Sequence, residues 1–406
     1  MTSVIDMRIS KKKGVCIVGG GFSNKGAEAM VLTIADALRR QMPGISVYAE
    51  VPGRDFAQAC AGGVLPVRSD RSKFLGLGLI DKIRVTRLHN TALALIDVGG
   101  YQFGDPWKAQ SALRKAAIVE QYVRRGSPVF FMPQAWGPFS SPGMADATRA
   151  IIEHATLSYV RDRTSMQAVE GLMGKGHAKV CFAHDIAWNF QGADLSVGRR
   201  MIRDSGLLPE GGSILVGITP NRQVYQRAEG QEQDNTYVRL MRGIITYLCS
   251  AHGARVVLIG HEIRPDNSKV KDDRTLCNCL LYSVDRSLPV AHVDKVLSAA
   301  EVKSVLGNCD LVLSSRYHGL IAALSQSIPV ATVGWSHKYD ELMSEIGLTS
   351  NIIPLSGTTD EVTRIINSIV ESLPRVRQAL PSRIAPMKDS GAAAMNEVLS
   401  VIEQAC

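Results

Sequence analysis

Short apolar runs recur along the chain, and most of them end in glycine or a polar residue. The first, Gly14-Val15-Cys16-Ile17-Val18-Gly19, leads into the loop Gly20-Gly21-Phe22-Ser23-Asn24-Lys25-Gly26. A continuous apolar run bounded by glycine is the pattern of a strand buried on both faces of a parallel sheet. A helix is predicted from Ala27 to Gln41, with Met30, Ile34 and Leu38 on one face, and a strand at Ile45–Ala49. Further strands are predicted at Leu93–Val98, Val129–Met132, Leu157–Val160 and Val180–Phe182, with helices at Ser111–Arg124, Met144–His154 and Thr164–Leu172. A second alternating series starts with the strand Ile214–Ile218 and the helix Thr236–Ala251. It continues through the strand Arg255–Gly260, the helix Val302–Asn308, the strand Leu311–Ser314, the helix His318–Gln326, the strand Pro329–Val333 and the helix Tyr339–Ile346. Helical patterns around Glu361–Leu373 and Ala392–Gln404 close the chain.

Strands alternating with helices specify an α/β protein built on mainly parallel, doubly wound sheets. At roughly 100–200 residues per domain, a long chain of this kind holds two domains. The expected division is a flexible basic N-terminus over 1–13, one domain over 14–195, a second over 210–375 and a C-terminal helical segment over 376–406. The two domains are expected to face a cleft, with the polar stretch Ala193–Gly212 as linker.

Composition narrows the function classes. Of 406 residues, 45% are hydrophobic and 21% charged, which suits a large buried core. The net charge of +8 points to an anionic partner, but only Lys11-Lys12-Lys13 forms a basic block and aromatics are 6%, so no nucleic-acid partner is expected. Of the eight cysteines, only Cys277 and Cys279 lie close together, with no second pair at zinc spacing, so no metal site is expected. Scattered cysteines fit a reducing compartment. The N-terminal residues lack an apolar signal core, and no run of about 18 apolar residues exists. A cytoplasmic protein is expected, and the basic N-terminus would suit peripheral contact with the inner face of a membrane, although a solvated tail is the plainer reading.

In open parallel sheets, ligands bind beyond the carboxyl ends of the strands. Those ends are rich here in glycine, polar and cationic residues, including Pro133-Gln134, Arg161-Asp162-Arg163, Gly260-His261-Glu262 and Gly334-Trp335-Ser336-His337-Lys338. The first glycine loop fits neither the dinucleotide fingerprint nor a Walker A loop, and reads as a tight turn or, through Asn24 and the helix N-terminus, as an anion loop. Arg161 reads either as an ion pair closing a strand or as a guanidinium offered to a carboxylate or phosphate. The sharpest signal is Ser314-Ser315-Arg316-Tyr317-His318-Gly319, where a strand delivers Arg316 and His318 to a helix start. An anion held beside Arg316 would favour a protonated His318, the state a general acid needs. Lys338, on the next βα loop, is placed to face the same ligand. Single aspartates near strand ends, such as Asp97 and Asp185, read as caps, and no Gly-x-Ser-x-Gly elbow occurs.

The chain resembles the polysaccharide pyruvyl transferase family from about Gly14 to Leu348. The matching pieces are Asn24-Lys25-Gly26-Ala27-Glu28, Asp97-Val98-Gly99-Gly100, Pro133-Gln134-Ala135-Trp136-Gly137-Pro138-Phe139, Ser158-Tyr159-Val160-Arg161-Asp162-Arg163-Thr164-Ser165 and Ser315-Arg316-Tyr317-His318-Gly319. The chain departs from the family where Val98 replaces a third glycine and where Ala27 follows Gly26. The resemblance implies a glycosyltransferase-B-like fold of two Rossmann-like domains, the N-terminal one on the acceptor side and the C-terminal one on the donor side. It implies phosphoenolpyruvate as donor substrate, no separate cofactor, and a saccharide or lipid-linked oligosaccharide as acceptor, yielding a pyruvate ketal. His318, Arg161, Arg316 and Lys338 would be the catalytic residues, and Asn24, Gly26, Gly99, Gly100, Gln134, Ser315, Tyr317 and Gly319 would line the substrates. His318 would protonate the enol carbon, the arginines would balance the carboxylate and phosphate, and Lys338 would assist the leaving phosphate.

Two rivals share this pattern. A nucleotide-sugar glycosyltransferase of the same fold would need an acidic residue after a late strand, for which Asp340-Glu341 is the candidate. A non-catalytic relative in an envelope assembly complex would have no reason to keep Arg161, Arg316, His318 and Lys338 together. The acceptor sugar has no code in the sequence, although the polar stretches Arg54–Asp81 and Asn221–Asn235 are expected to shape its site, and the oligomeric state is not set.

Overall fold

The computed structural model describes residues 14–69, 77–207, 212–265, 271–334 and 336–405, without the side chains of 77–79. The basic segment 1–13 therefore lies outside the described residues, as do parts of the polar stretches Arg54–Asp81 and Ala193–Gly212. The chain forms two compact units. The first takes the chain up to Gly21, Val31–Asp185 and the residues from Ala392 on, and the second takes Phe22–Met30 and Ile186–Gly391.

The first unit is built on β1 (Gly14–Val18), β2 (Ser46–Val51), β3 (Leu65–Arg68), β4 (Ala94–Asp97), β5 (Tyr101–Phe103), β6 (Val129–Trp136), β7 (Leu157–Val160) and β8 (Val180–Phe182). The strand order is β3-β2-β1-β4-β6-β7-β8, with β5 beside β6, and every pairing is parallel. The chain winds outward from β1 through β2 to β3, then returns to β4 and winds the other way. The order thus reverses between β1 and β4, where Val18 lies beside Asp97. β1, β4 and most of β6 are buried along their length, which is why they read as unbroken apolar runs.

The second unit contains β9 (Leu215–Thr219), β10 (Arg255–Leu258), β11 (Val290–His292), β12 (Leu311–Ser314), β13 (Val330–Val333) and β14 (Ile352–Ile353). They run in the order β11-β10-β9-β12-β13-β14, again all parallel, and the order reverses between β9 and β12, where Thr219 pairs with Ser314. Helix Thr236–His252 covers this sheet with Val238, Met241, Ile245 and Leu248, all buried in its core.

Three expectations are corrected. The stretch Ala193–Gly212 is not simply a linker: it carries the helix Leu195–Asp204, which packs on the helix Ala299–Gly307, where Ser304 Oγ accepts from Gly198 N at 2.8 Å. The first unit accordingly ends at Asp185 rather than at 195. The C-terminal helical segment expected over 376–406 is the second half of one helix, Thr359–Gln404, that runs through Pro374, Pro381 and Pro386. Each proline falls on an exposed position, where the carbonyl it leaves unpaired can reach solvent. From Ala392 on this helix belongs to the first unit, where Glu397 accepts from the Tyr159 hydroxyl at 2.6 Å. Among the described residues, no helix is long and apolar enough to cross a membrane.

One conspicuous sequence motif turns out to be core. Trp136 stacks on Phe103 (centroids 4.8 Å apart, 17° between planes), meets Phe131 edge-on at 5.7 Å and donates its indole N–H to Tyr159 O at 3.0 Å. Trp136→Ala is expected to destabilise the protein by about 3–5 kcal/mol, and Trp136→Phe by less, as measured by urea denaturation. Equal, near-zero losses for both would show that this aromatic stack does not hold the unit together.

Candidate active site

In the second unit, the reversal between β9 and β12 opens the crevice in which doubly wound sheets place their ligands. The segment Ser314–Gly319 leaves β12 at that point. Ser314 Oγ accepts from Arg316 N at 3.0 Å and from Thr219 Oγ1 at 2.5 Å, which turns the chain sharply out of the strand. The helix Tyr317–Leu324 starts at once, with Gly319 pressed on the strand ends: a Cβ there would collide with Ser314 Oγ and lie 2.8 Å from Thr219 Oγ1. His318 is half-buried at the first turn of this helix.

Arg316 does not stand open to an anion as the sequence suggested. It is buried, with Nη2 on Asp273 Oδ1 at 2.5 Å and Nη1 on Glu262 Oε2 at 3.3 Å. Asp273 also accepts from the backbone N–H groups of Glu262 (2.7 Å), Arg222 (3.1 Å) and His261 (3.3 Å). Burial pushes the Asp273 carboxyl up, against the pull of Arg316. Burial likewise works against the Arg316 charge, and Asp273 outweighs it, holding the guanidinium charged. Ser315 is also interior: its Oγ accepts from the Tyr237 hydroxyl at 2.8 Å, and its carbonyl accepts from Asn221 (2.8 Å) and the Tyr339 hydroxyl (2.7 Å). Tyr317 is different. Half-buried, it meets His318 edge-on at 5.5 Å and Tyr339 at 6.2 Å, and Lys338 Nζ sits 5.6 Å from its ring centre. Lys338 and His318 thus flank one tyrosine.

The first glycine loop joins this site through Asn24–Met30. Asn24 Oδ1 caps the helix Lys25–Gln41 by accepting from Gly26 N (3.0 Å) and Ala27 N (3.3 Å), so its polar group serves the fold. Asn24 also pairs as an isolated bridge with Glu262, and Lys25 N donates to His261 O at 3.0 Å. Gly26 has a direct steric reason: a Cβ there would fall inside the His318 imidazole. Lys25 is buried and neutralised by Glu28 at 2.7 Å, while Glu28 Oε1 accepts from Ala299 N at 2.9 Å.

Two residues that the motif reading did not single out share a cavity with His318. This cavity of ≈ 20 Å³ is lined by Lys25, Gly26, His261, Lys303 and His318 among others, and has room for about one water molecule. It is too small for a three-carbon phosphate ester. His261 is fully buried, and burial first, then the charges of His318, Arg316 and Lys25, hold its imidazole well below the ordinary value and so neutral. Lys303 donates to Phe190 O at 2.5 Å, and burial, aided by Lys388, pushes its amine down to about 7. A lysine between Val302 and Ser304-Val305, on a helix whose other residues are mostly buried, was the available signal for it.

The remaining predicted residues belong to the first unit, around its own reversal between β1 and β4. Asp97 is not a simple cap: it binds Lys115 Nζ at 2.6 Å, accepts from Gly99 N at 2.8 Å and contacts Gln102. Gly100 O accepts from Ala135 N at 3.0 Å. Gln134 is fully buried, and its Nε2 has no partner among the described residues. Arg161, also buried, pairs with Asp185 at 2.8 Å, whereas Asp162 caps the helix Arg163–Met173 by accepting from Ser165 N at 2.7 Å. Among the described residues, no group of three or more His, Cys, Asp or Glu gathers that could hold a metal ion.

Comparison with known proteins places this geometry. A family model described as polysaccharide pyruvyl transferase matches residues 24–337. Among solved structures, UDP-GlcNAc 2-epimerase from Neisseria meningitidis, bound to UDP-GlcNAc, is 10% identical over 96% of this chain and 100% of its own, with a TM-score of 0.60. Anabaena Alr3699/HepE in complex with UDP is 12% identical over 97% and 100%, with a TM-score of 0.56. A glycosyltransferase from Rickettsia africae is 8% identical over 97% and 98%, with a TM-score of 0.57. At such identities the likeness is one of fold, and that fold is glycosyltransferase-B-like, with two Rossmann-like domains.

Lys303 gives this region a measurable signature. Its amine holds a proton up to about 10.5 in the unfolded chain but releases it at about 7 in the folded one. Between those values the unfolded chain binds more protons, so folding stability contributed by this group rises with pH. Lys303→Met should flatten the urea-midpoint rise between pH 7 and pH 10 relative to wild type. Parallel curves for the two proteins would place an ordinary, solvated amine at this position.

Proposed function

The chain belongs to the polysaccharide pyruvyl transferase family, and from that premise we propose that it transfers the enolpyruvyl group of phosphoenolpyruvate to a pair of sugar hydroxyls, forming a pyruvate ketal and releasing phosphate. The observation that carries the proposal is the half-buried His318 at a helix start, set by Gly26 and Gly319 and sharing Tyr317 with Lys338. The acceptor would be a cell-surface polysaccharide or its lipid-linked precursor, a neutral polyol that needs shape more than charge.

The chemistry balances with side chains alone in the proton-carrying roles. His318 gives its proton to the methylene carbon of phosphoenolpyruvate, and C2 becomes electrophilic. One sugar hydroxyl attacks C2, and its proton restores His318. The C2–O bond to phosphate then breaks, the second hydroxyl closes the ketal, and its proton leaves with the phosphate. Lys338 would steady the phosphate as it departs, with the positive end of the Tyr317–Leu324 helix beside it. Arg316, already bound to Asp273 and Glu262, would act by holding the loop that aims His318. Arg161 is proposed to support turnover as well, the role the family motif assigns it.

The fold neighbours bound to UDP favour one second reading, a transferase that takes its donor as a nucleotide sugar. A single assay separates the two. Incubation with phosphoenolpyruvate and candidate oligosaccharides should release phosphate and add a pyruvate ketal to the acceptor mass, whereas release of UDP from a UDP-sugar without phosphoenolpyruvate would replace this proposal with the second reading. His318→Ala should lower kcat by about 10²–10⁴ with unchanged melting, and near-normal turnover would remove His318 from the acid role. Gly26→Ala, which displaces the imidazole, should cost kcat on the order of 10–100-fold while donor binding persists.

A further inference from the structure

We propose that the second unit carries a remote saccharide site that recognises sugars already bearing a carboxylate, at the end of its sheet opposite His318. A groove of ≈ 360 Å³ is formed by the loop entering β14 and the helix Thr359–Gln404, and this volume falls in the range of ligand pockets. The loop precedes β14 and is tied by Asn351 Nδ2 to Val330 O at the start of β13 (2.9 Å). Ser315–His318, by contrast, follow the carboxyl end of β12, so a full strand of roughly 13 Å separates the two places.

The lining has the chemistry for an anionic polyol. Ser368, Ser372 and Arg375 share one face of the long helix, Arg383 continues that face two turns on, and Ser350 adds a hydroxyl from the loop. Among the described residues, no carboxylate lines the groove. Arg383 Nη1 is committed to the carbonyls of Ile346 (2.9 Å) and Gly347 (3.3 Å), which fixes its position and leaves Nε and Nη2 without partners among the described residues. The Arg375 guanidinium likewise has no partner among them. Guanidinium groups take carboxylates through paired, charge-assisted bonds, and serine hydroxyls match sugar hydroxyls.

The inference rests on the proposed ketal-forming reaction. That reaction puts one carboxylate on each modified repeat, so a product chain is an anionic polyol and an unmodified chain is not. A groove selective for the product would tether a partly modified polysaccharide and raise the local concentration of its unmodified repeats.

Isothermal titration of the full chain tests this without turnover, using three probes: a methyl galactoside carrying a 4,6-linked pyruvate ketal, the same galactoside without it, and inorganic phosphate. The ketal probe should bind at least ten-fold more tightly than either of the others. Arg375→Glu, which breaks no bond among the described residues, should weaken it at least ten-fold, and Arg383→Ala should act in the same direction. His318→Ala should leave the titration unchanged, and Arg375→Glu should leave single transfer to a short acceptor unchanged. Equal binding of ketal and plain galactoside, or no effect of Arg375→Glu, would overturn the site. Phosphate binding as tightly as the ketal would overturn its saccharide class. Absent phosphate release from phosphoenolpyruvate with intact ketal binding would count against the transfer reaction, whereas normal release without ketal binding would count against this groove alone.

Discussion

A buried ion cluster centred on Asp273 organises the strand-end crevice of the second unit. Its carboxylate receives Arg316 from the loop after β12, the backbone of His261 and Glu262 from the loop after β10, and Arg222 N from the segment after β9. One acidic side chain thus ties together the carboxyl-end loops of three adjacent strands. Glu262 extends the cluster to Arg316 on one side and Arg264, at 2.6 Å, on the other. Removing one partner of such a buried pair strands the other charge, a cost of about 3–5 kcal/mol. Arginine is therefore held here by the architecture of the crevice before any ligand arrives.

That arrangement sorts the cations around His318 into two groups. Lys25 and Arg316 carry strong positive charge but are already matched, by Glu28 and by Asp273 with Glu262. Lys338 and His318 are half-buried and lie beside the same tyrosine. The fully buried, matched pair builds the crevice, and the half-buried pair lies nearer its surface. A sequence motif shows that Arg316 and His318 lie together but cannot show which of them is spent on the fold.

The strand–helix alternation was legible because nearly every strand is buried on both faces, as at β1, β4 and β12. The reversal points were not legible, since strand order is a tertiary property. Where the reading failed, the causes are physical. β14 has two residues and β11 three, too short for any periodicity to show. The helical patterns at Glu361–Leu373 and Ala392–Gln404 belong to one helix, Thr359–Gln404, that carries Pro374, Pro381 and Pro386 on exposed positions. Arg316 meets its carboxylates 43 and 54 residues upstream, in polar sequence whose partners are set only by the sheet order. Asn24 looked like a ligand group because the same oxygen chemistry that binds anion-bound water also caps helices.

The interior beside His318 gives the displayed histidine its working environment. His261 is kept neutral there, and burial pushes the Lys303 amine down to about 7, so that it carries only part of a lysine's usual charge at neutral pH. Lys25 beside it is balanced by Glu28, and Lys338 lies on the far side of the Tyr317 ring. Charge interactions in such a partly desolvated place are several times stronger than in water. A crevice in which Arg316 and Lys25 are matched by their own carboxylates holds the shape of its loops by internal charge, and the Asp273 cluster carries most of that load by joining three strand ends at one side chain.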